Sequence, residues 1–335
     1  MSLFPYITLF SSTLILGSAM ALSANHWIFI WMGLELNLMS FIPLLTFSYM
    51  NQESEAAMKY FMAQALGSGL LLLGALSLNT LPLMFLGSDL FKAFILMGLL
   101  IKLGLPPCHF WFPSVMSMIS WPMCMILTTW QKLIPIIIIS YIFSSNIYAL
   151  IILIIALSSL IGGLGGINQT QLRPLLAYSS IGHMAWMLAS SLSSYSSSMI
   201  YLWVYIIISI SLMILLWHKS LFLNSSLNNS LNLNKTFFFS LIITMFSLGG
   251  IPPFLGFFPK WLVIENLTAF SPTLVMIILL GSMMNLFYYL NLVFISSLSS
   301  NLPMYFNYMK SYNTSFIVMI SSLTMGLGPL MFILI

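Results

Sequence analysis

Apolar runs of about 20 residues follow one another along almost the whole chain, the length a helix needs to cross the ~30 Å hydrocarbon core of a bilayer. Of the 335 residues, 60% are hydrophobic and 4% are charged, a balance foreign to soluble domains. The expected fold is an all-α polytopic membrane protein, with residues 1–335 forming a single transmembrane domain. Dividing the runs at polar or Pro/Gly/Asn-rich breaks gives about eleven spans: 3–23, 26–49, 57–77, 90–111, 116–143, 148–167, 173–191, 196–217, 237–266, 273–296 and 314–334. Residues 219–236, rich in Asn, Ser and Leu, are expected to form a surface loop. Its sequons at Asn228 and Asn234 are read as chance matches, since no secretory signal accompanies them.

The charges outside the spans are one-sided. Loops numbered alternately place Lys59, Arg173, Lys219, Lys235 and Lys310 on one side and Lys92, beside Asp89, on the other. This bias orients the N-terminus toward the compartment of synthesis and the C-terminus opposite. The first 24 residues hold no basic residue, so no cleavable presequence is expected. Basic residues are scattered rather than clustered, which argues against a nucleic-acid partner. Cys108 and Cys124 suit neither a metal site nor a disulfide framework and are read as small core residues. Methionine occurs 26 times and arginine once, at Arg173, a bias that fits an organelle genome with an extra methionine codon.

Four charges refuse to leave the membrane: Glu35, Lys102, Lys132 and Lys260. Glu35 lies about 13 Å deep, nine residues into its span at 1.5 Å per residue. An ionisable group in hydrocarbon is costly, so it marks an ion or proton pathway by default. Lysine suits such a pathway because removal from water disfavours the charged form, while a nearby carboxylate restores it. Glu35 can thus hold a lysine protonated in one state and release it in another. His183, with Ser179 and Ser180, and the amides Gln131 and Asn37 are candidates to complete the wire. The competing reading is a set of static ion pairs or lysines snorkelling to an interface. Snorkelling does not suit Lys102 and Lys132, and one carboxylate cannot pair three lysines. Glu265 reads as an end-of-helix charge, His26 and His218 as interfacial, and His109 as a packing residue ahead of a cavity-lining one.

The chain also echoes itself. Gly104-Leu-Pro-Pro-Cys-His-Phe-Trp-Phe-Pro113 aligns without gaps to Gly250-Ile-Pro-Pro-Phe-Leu-Gly-Phe-Phe-Pro259, with Gly, both prolines, one Phe and the last Pro in common. Pro106, Pro107, Pro252 and Pro253 each lack a backbone donor, so both helices should break at Gly104 and Gly250. Paired broken helices in corresponding halves point to a transport site between inverted repeats. The run Gly162-Gly-Leu-Gly-Gly166 reads as close helix packing rather than a nucleotide loop, because no strand precedes it. No paired histidines for haem, cysteine cluster for iron–sulfur or Ser/His/Asp arrangement is visible, so no cofactor or metal is expected on this chain.

These stretches carry a resemblance. His26-Trp-x3-Trp31-x-Gly-Leu-Glu35-Leu-Asn37, Lys102-Leu-Gly-x-x-Pro107-x-His109-Phe-Trp and Thr129-Trp-Gln-Lys132-Leu resemble the chain 2 family of antiporter-like subunits in mitochondrial NADH:ubiquinone oxidoreductase, respiratory complex I. So do Gly162-Gly-x-Gly-Gly-x-Asn168-Gln-Thr-Gln171-Leu-Arg173, Ala177-Tyr-Ser-Ser180 and Pro252-Pro253-x5-Pro259-Lys260-Trp261. The likeness extends to about residue 295; the last 40 residues agree only in hydrophobicity. It implies a proton-translocating subunit of the membrane arm, multi-pass in the mitochondrial inner membrane, with a matrix-side N-terminus and an intermembrane-space C-terminus. It also implies the shortened animal form, lacking the opening helices of bacterial members. The positions of Glu35, Lys102, Lys132 and Lys260 match the family's central hydrophilic axis. By order along the chain, Lys102 would receive the proton under the influence of Glu35, Lys132 would relay it, and Lys260 would carry it out. Partners would be other membrane-arm subunits and membrane lipids. FMN, iron–sulfur clusters and ubiquinone would sit in other subunits. Rival readings are a subunit of a stand-alone cation/proton antiporter and a purely structural membrane-arm subunit. A channel subunit of the ATP-synthase type is disfavoured because Arg173 opens a helix rather than lying within one.

Overall fold

A computed structural model describes residues 4–47, 50–80, 87–142, 147–218 and 235–299, and among them every regular element is helical. The expected span 314–334, most of the expected loop with both sequon asparagines, and Lys219 and Lys310 lie outside the described residues. The chain divides into two compact units, Met1–Ile154 and Ile155–Ile335. The first holds α1 (Phe4–Ser23), α2 (Trp27–Leu45), α3 (Asn51–Thr80), α4 (Gly87–Leu103), α5 (Trp111–Met118), α6 (Trp121–Thr128) and α7 (Trp130–Ile142). Helix α8 (Tyr148–Ile167) runs through the division. The second unit holds α9 (Leu172–Ser193), α10 (Tyr195–His218), α11 (Lys235–Gly249), α12 (Phe257–Thr268) and α13 (Pro272–Ser299).

Among the described residues, seven helical runs are long and apolar enough to cross a membrane: those of α1, α2, α3, α6 with α7, α8, α10 and α13. The expected span 173–191 is also a helix, α9, but it interleaves Ser179, Ser180, Gly182 and His183 with its apolar residues. Those residues are all buried. The expected span 116–143 is not one helix. Its first residues belong to α5, and a new helix begins at Trp121, where Pro122 occupies the first turn. Proline has no N–H to give and is best tolerated in the first turn, where that N–H would lack an intrahelical partner. Large apolar side chains such as Leu16, Met62, Leu66 and Trp203 lie exposed on the outside, as suits a surface that meets lipid tails or other membrane subunits.

The same succession of contacts runs through both units. In the first, α2 packs on α3, α3 on α4 and α5, and α4 on α7; in the second, α9 packs on α10, α10 on α11 and α12, and α11 on α13. In each unit small residues let backbones approach closely, because helices in lipid associate through van der Waals contact rather than a hydrophobic drive. A Cβ on Gly98 of α4 would fall 2.6 Å from the Gly67 carbonyl oxygen of α3. In the second unit a Cβ on Gly162 would fall 2.6 Å from the Gly182 amide nitrogen. The Gly162–Gly166 run thus packs helices together, as its spacing predicts. Gly98→Val is expected to force α3 and α4 apart at a cost of about 1–3 kcal/mol, typical of overpacking. The check is a reduced yield of assembled protein on a native gel, with a substitution at Gly69, where a Cβ meets nothing within 4 Å, as the tolerated control.

Candidate functional site

Two helices end where the prolines require it. Helix α4 stops at Gly104 and α11 at Gly250, both in the left-handed region with φ of +70° and +74°. Glycine takes this conformation without the steric cost a Cβ brings. In both, the chain turns by the same pair of bonds. Leu105 N–H donates to Leu100 O at 3.0 Å and Gly104 N–H to Ile101 O at 3.1 Å; Ile251 N–H donates to Phe246 O at 3.3 Å and Gly250 N–H to Ser247 O at 3.2 Å. This is the Schellman ending, which leaves part of the last turn's carbonyls to find partners elsewhere. Pro106–Pro107 and Pro252–Pro253 are both cis. The residue-by-residue repeat of the two breaks matches the sequence echo.

Carbonyls of the two broken turns draw the site residues in. At the first break, Trp111 Nε1–H donates to Ile101 O at 3.1 Å and Gln64 Nε2–H to Lys102 O at 3.1 Å. Lys102 itself lies in the last turn of α4, buried. At the second break, Lys260 reaches back from α12, and its ammonium donates to Gly249 O at 2.7 Å. A helix C-terminus carries partial negative charge, so an ammonium is favoured there. Gly250 is needed twice over, for its φ and because a Cβ there would lie 2.7 Å from Lys260 Nζ. The Lys260 ammonium also lies over the Trp186 ring, 5.9 Å from its centroid.

Lys132 sits at a third interruption that the sequence reading did not name. Helix α6 stops before Thr129, whose φ of −113° lies outside the usual helical range and whose hydroxyl donates back to Met125 O at 2.6 Å. Pro135 lies inside α7 three residues beyond the lysine. The buried Lys132 ammonium lies 4.7 Å from the Phe112 ring centroid, a cation–π distance. All three lysines therefore stand where a helix is broken or disturbed.

Around Lys102 the first unit gathers amides rather than acids. Leu34, Asn37, Tyr60, Gln64, Lys102, Gln131 and Pro135 help line a cavity of about 10 Å³, room for about one water. Gln131 Nε2–H donates to Asn37 Oδ1 at 3.0 Å. Glu35, half-buried, acts electrostatically on Lys102 and on the buried Tyr60. Among the described residues no ion pair joins Glu35 to Lys102, while Lys59–Glu55 at 2.7 Å and Lys92–Asp89 at 3.9 Å pair near the surface. Those two lysines lie within α3 and α4 rather than in loops. Exposed pairs of this kind contribute little to stability.

In the second unit, His183 of α9 is buried, its Nδ1 2.9 Å from the Tyr201 hydroxyl of α10 and its ring 5.2 Å from that of Tyr205. A second cavity of about 10 Å³ is lined by these three residues with Ser247, Gly256 and Pro259, among others. Ser179 and Ser180 donate to Leu176 O and Ala177 O of their own helix at 2.9 and 2.7 Å. Tyr60, Gln64, Tyr201 and Tyr205 were not foreseen. Gln64 was visible as an amide deep in an apolar run, whereas tyrosines in such runs pass for packing residues.

The other candidates fall as follows. His109 packs within the first break, near Pro107 O at 3.4 Å and over Phe110. His26 and His218 are exposed at helix ends, and Glu265 is exposed on α12. Cys124 is buried, but Cys108 is exposed, because it lies in the turn that carries the chain from α4 to α5 rather than in a span. That corrects its reading as a core residue.

Interrupted membrane helices, each placed against a buried lysine, define a polytopic protein of the ion-translocating class. The chain belongs to the family described as NADH:quinone oxidoreductase/Mrp antiporter, whose sequence pattern matches residues 24–287. It is 39% identical to NADH-ubiquinone oxidoreductase chain 2 of Lumbricus terrestris over 97% of both chains. It is 41% identical to the protein of that name from Anopheles gambiae, over 85% of this chain and 84% of that one. A chain in the structure of respiratory complex I from Thermus thermophilus shares the fold, with a TM-score of 0.85 and 24% identity over 96% of this chain and 78% of that one. So does one in an archaeal membrane-bound sulfane sulfur reductase, with a TM-score of 0.81 and 17% identity over 95% of this chain and 71% of that one.

Gly250→Ala is expected to cost about 1–2 kcal/mol in backbone strain and to push the Lys260 ammonium off Gly249 O. Gly249→Ala, where the nearest atoms to a Cβ are 4.0 Å away, should be tolerated. Comparing assembled yield and proton pumping of the two variants checks this.

Proposed function

We propose that the chain is a proton-translocating subunit in the membrane arm of mitochondrial NADH:ubiquinone oxidoreductase, multi-pass in the inner membrane among other membrane-arm subunits. The observation that carries this reading is the placement of Lys102, Lys132 and Lys260, all buried, at three helix interruptions. A purely structural helix would gain by replacing such a lysine with an apolar residue.

In the first unit, Lys102 takes up the proton under the field of Glu35, and Lys132 is the central relay. The amides Asn37, Gln64 and Gln131, with room for about one water, solvate the charge without binding it permanently, since they offer dipoles rather than a full counter-charge. In the second unit, His183 and Lys260 carry the proton onward, Lys260 as the exit-side carrier held at the carbonyl end of α11. The redox chemistry that drives these steps, with its FMN, iron–sulfur clusters and ubiquinone, belongs to other subunits. The whole chain acts as one transmembrane domain, with its N-terminus on the matrix side and its C-terminus on the intermembrane-space side, in keeping with the one-sided distribution of Lys59, Arg173 and Lys235.

Lys132→Met is expected to leave assembly and NADH oxidation in place while lowering the protons moved per NADH in proteoliposomes. Unchanged stoichiometry would remove Lys132 from the centre of the relay. A native gel of solubilised mitochondrial membranes, stained for NADH dehydrogenase activity, tests the assignment to the complex. The chain should run in the large active band; migration elsewhere, with sodium-dependent ion flux in the absence of NADH, would favour a stand-alone antiporter.

A further inference from the structure

The ring of His183 meets two side chains of the neighbouring helix α10. Tyr201 and Tyr205 stand one turn apart on α10 and so share a face. The first meets Nδ1 at 2.9 Å, the second packs its ring against the imidazole at 5.2 Å, and both are buried. Ring position, ring tilt and the surroundings of one nitrogen are all constrained, while Nε2 is buried on the other side of the ring.

We propose that Tyr201 is a positioning residue for the relay: its phenol oxygen accepts the hydrogen bond of His183 Nδ1–H and so reserves Nε2 as the nitrogen that exchanges the proton. This rests on His183 acting in the relay. In the neutral imidazole, Nδ1 carries the hydrogen and Nε2 a lone pair. A proton arriving from the relay bonds to Nε2 and gives the imidazolium; its departure from the same nitrogen restores the neutral ring. The Nδ1–H···O bond is intact in both states, so the ring need not turn over between uptake and release. A neutral phenol suits this better than a carboxylate, which would hold the imidazolium by full opposite charge and slow release. The hydroxyl's own hydrogen can point into the adjoining cavity, which Tyr201 lines together with His183, Tyr205 and Ser247. A hydroxyl can accept and donate at once, which phenylalanine cannot.

The test uses the assembled complex in proteoliposomes, with Tyr201→Phe, His183→Gln and the double variant, reading NADH oxidation and protons moved per NADH. Tyr201→Phe should lower the stoichiometry to the value of His183→Gln, and the double variant should fall no further, because the tyrosine acts only through the histidine. Normal stoichiometry in either single variant, or an additive loss in the double, overturns the proposal. Should Tyr201→Phe fail to assemble, an experimental map of the unaltered complex decides the matter: a Tyr201 hydroxyl beyond 3.5 Å of Nδ1, outside hydrogen-bond range, removes the basis for the role. Lys132→Met tests the relay separately, so a defect there with normal pumping in Tyr201→Phe would defeat this inference alone.

Discussion

A helix that stops inside a membrane leaves carbonyl oxygens with no water to take their hydrogen bonds, and most of the site follows from that constraint. At both Gly-x-Pro-Pro steps the chain meets part of the need with the same backbone turn. What remains is met differently. The first break is closed by neutral donors, Trp111 and Gln64, with a lysine built into the last turn; the second is closed by a lysine reaching in from the next helix. The charge that is costly in lipid is thus placed where the backbone itself supplies a compensating partial charge.

The scarcity of carboxylates then takes on a physical meaning. A buried lysine locked to a carboxylate is a stable ion pair and a poor carrier, since parting the two requires bringing a bare charge into a low dielectric. Here Glu35 acts on Lys102 from outside ion-pair range, the cavity beside Lys102 is lined by amides and a phenol, and Lys132 meets an aromatic face. Such neighbours lower the cost of the charge without fixing it. The second unit applies the same economy to His183, which meets phenols and serines rather than acids. Two cavities of about 10 Å³ each lie against these groups, the scale of single waters rather than an open channel.

Much of this was legible in the residues. Helical class, the membrane and the two breaks followed from long apolar runs and from proline's missing N–H, and the buried charges stood out because so few others exist. The merging of α5 into the expected span 116–143 was not, because Ile119 and Ser120 carry no strong stop signal and Pro122 is as common beside a helix as within an apolar run. The interruption at Thr129 was hidden for a related reason. A threonine bonding back to the preceding turn disturbs a helix only when its rotamer turns that way. Cys108 looked like a core residue because the residues around it are apolar, yet a turn leaves it exposed.

The sequence by itself determined that the chain must be helical, that it must live in a membrane, that α4 and α11 must end at glycines, and that Glu35 and three lysines must fall within apolar spans. Those conclusions depend on properties each residue carries alone: chain polarity, a proline ring, a charge in a dry medium. Only the tertiary structure decided which carbonyl Lys260 caps, that Gln64 rather than an acid stands at Lys102, and that Tyr201 faces His183. Each of these joins residues on different helices, and their meeting depends on the close approach of backbones at small residues such as Gly67, Gly98, Gly162 and Gly182. Helix rotation and depth are set by that packing, and the local order of residues does not encode them.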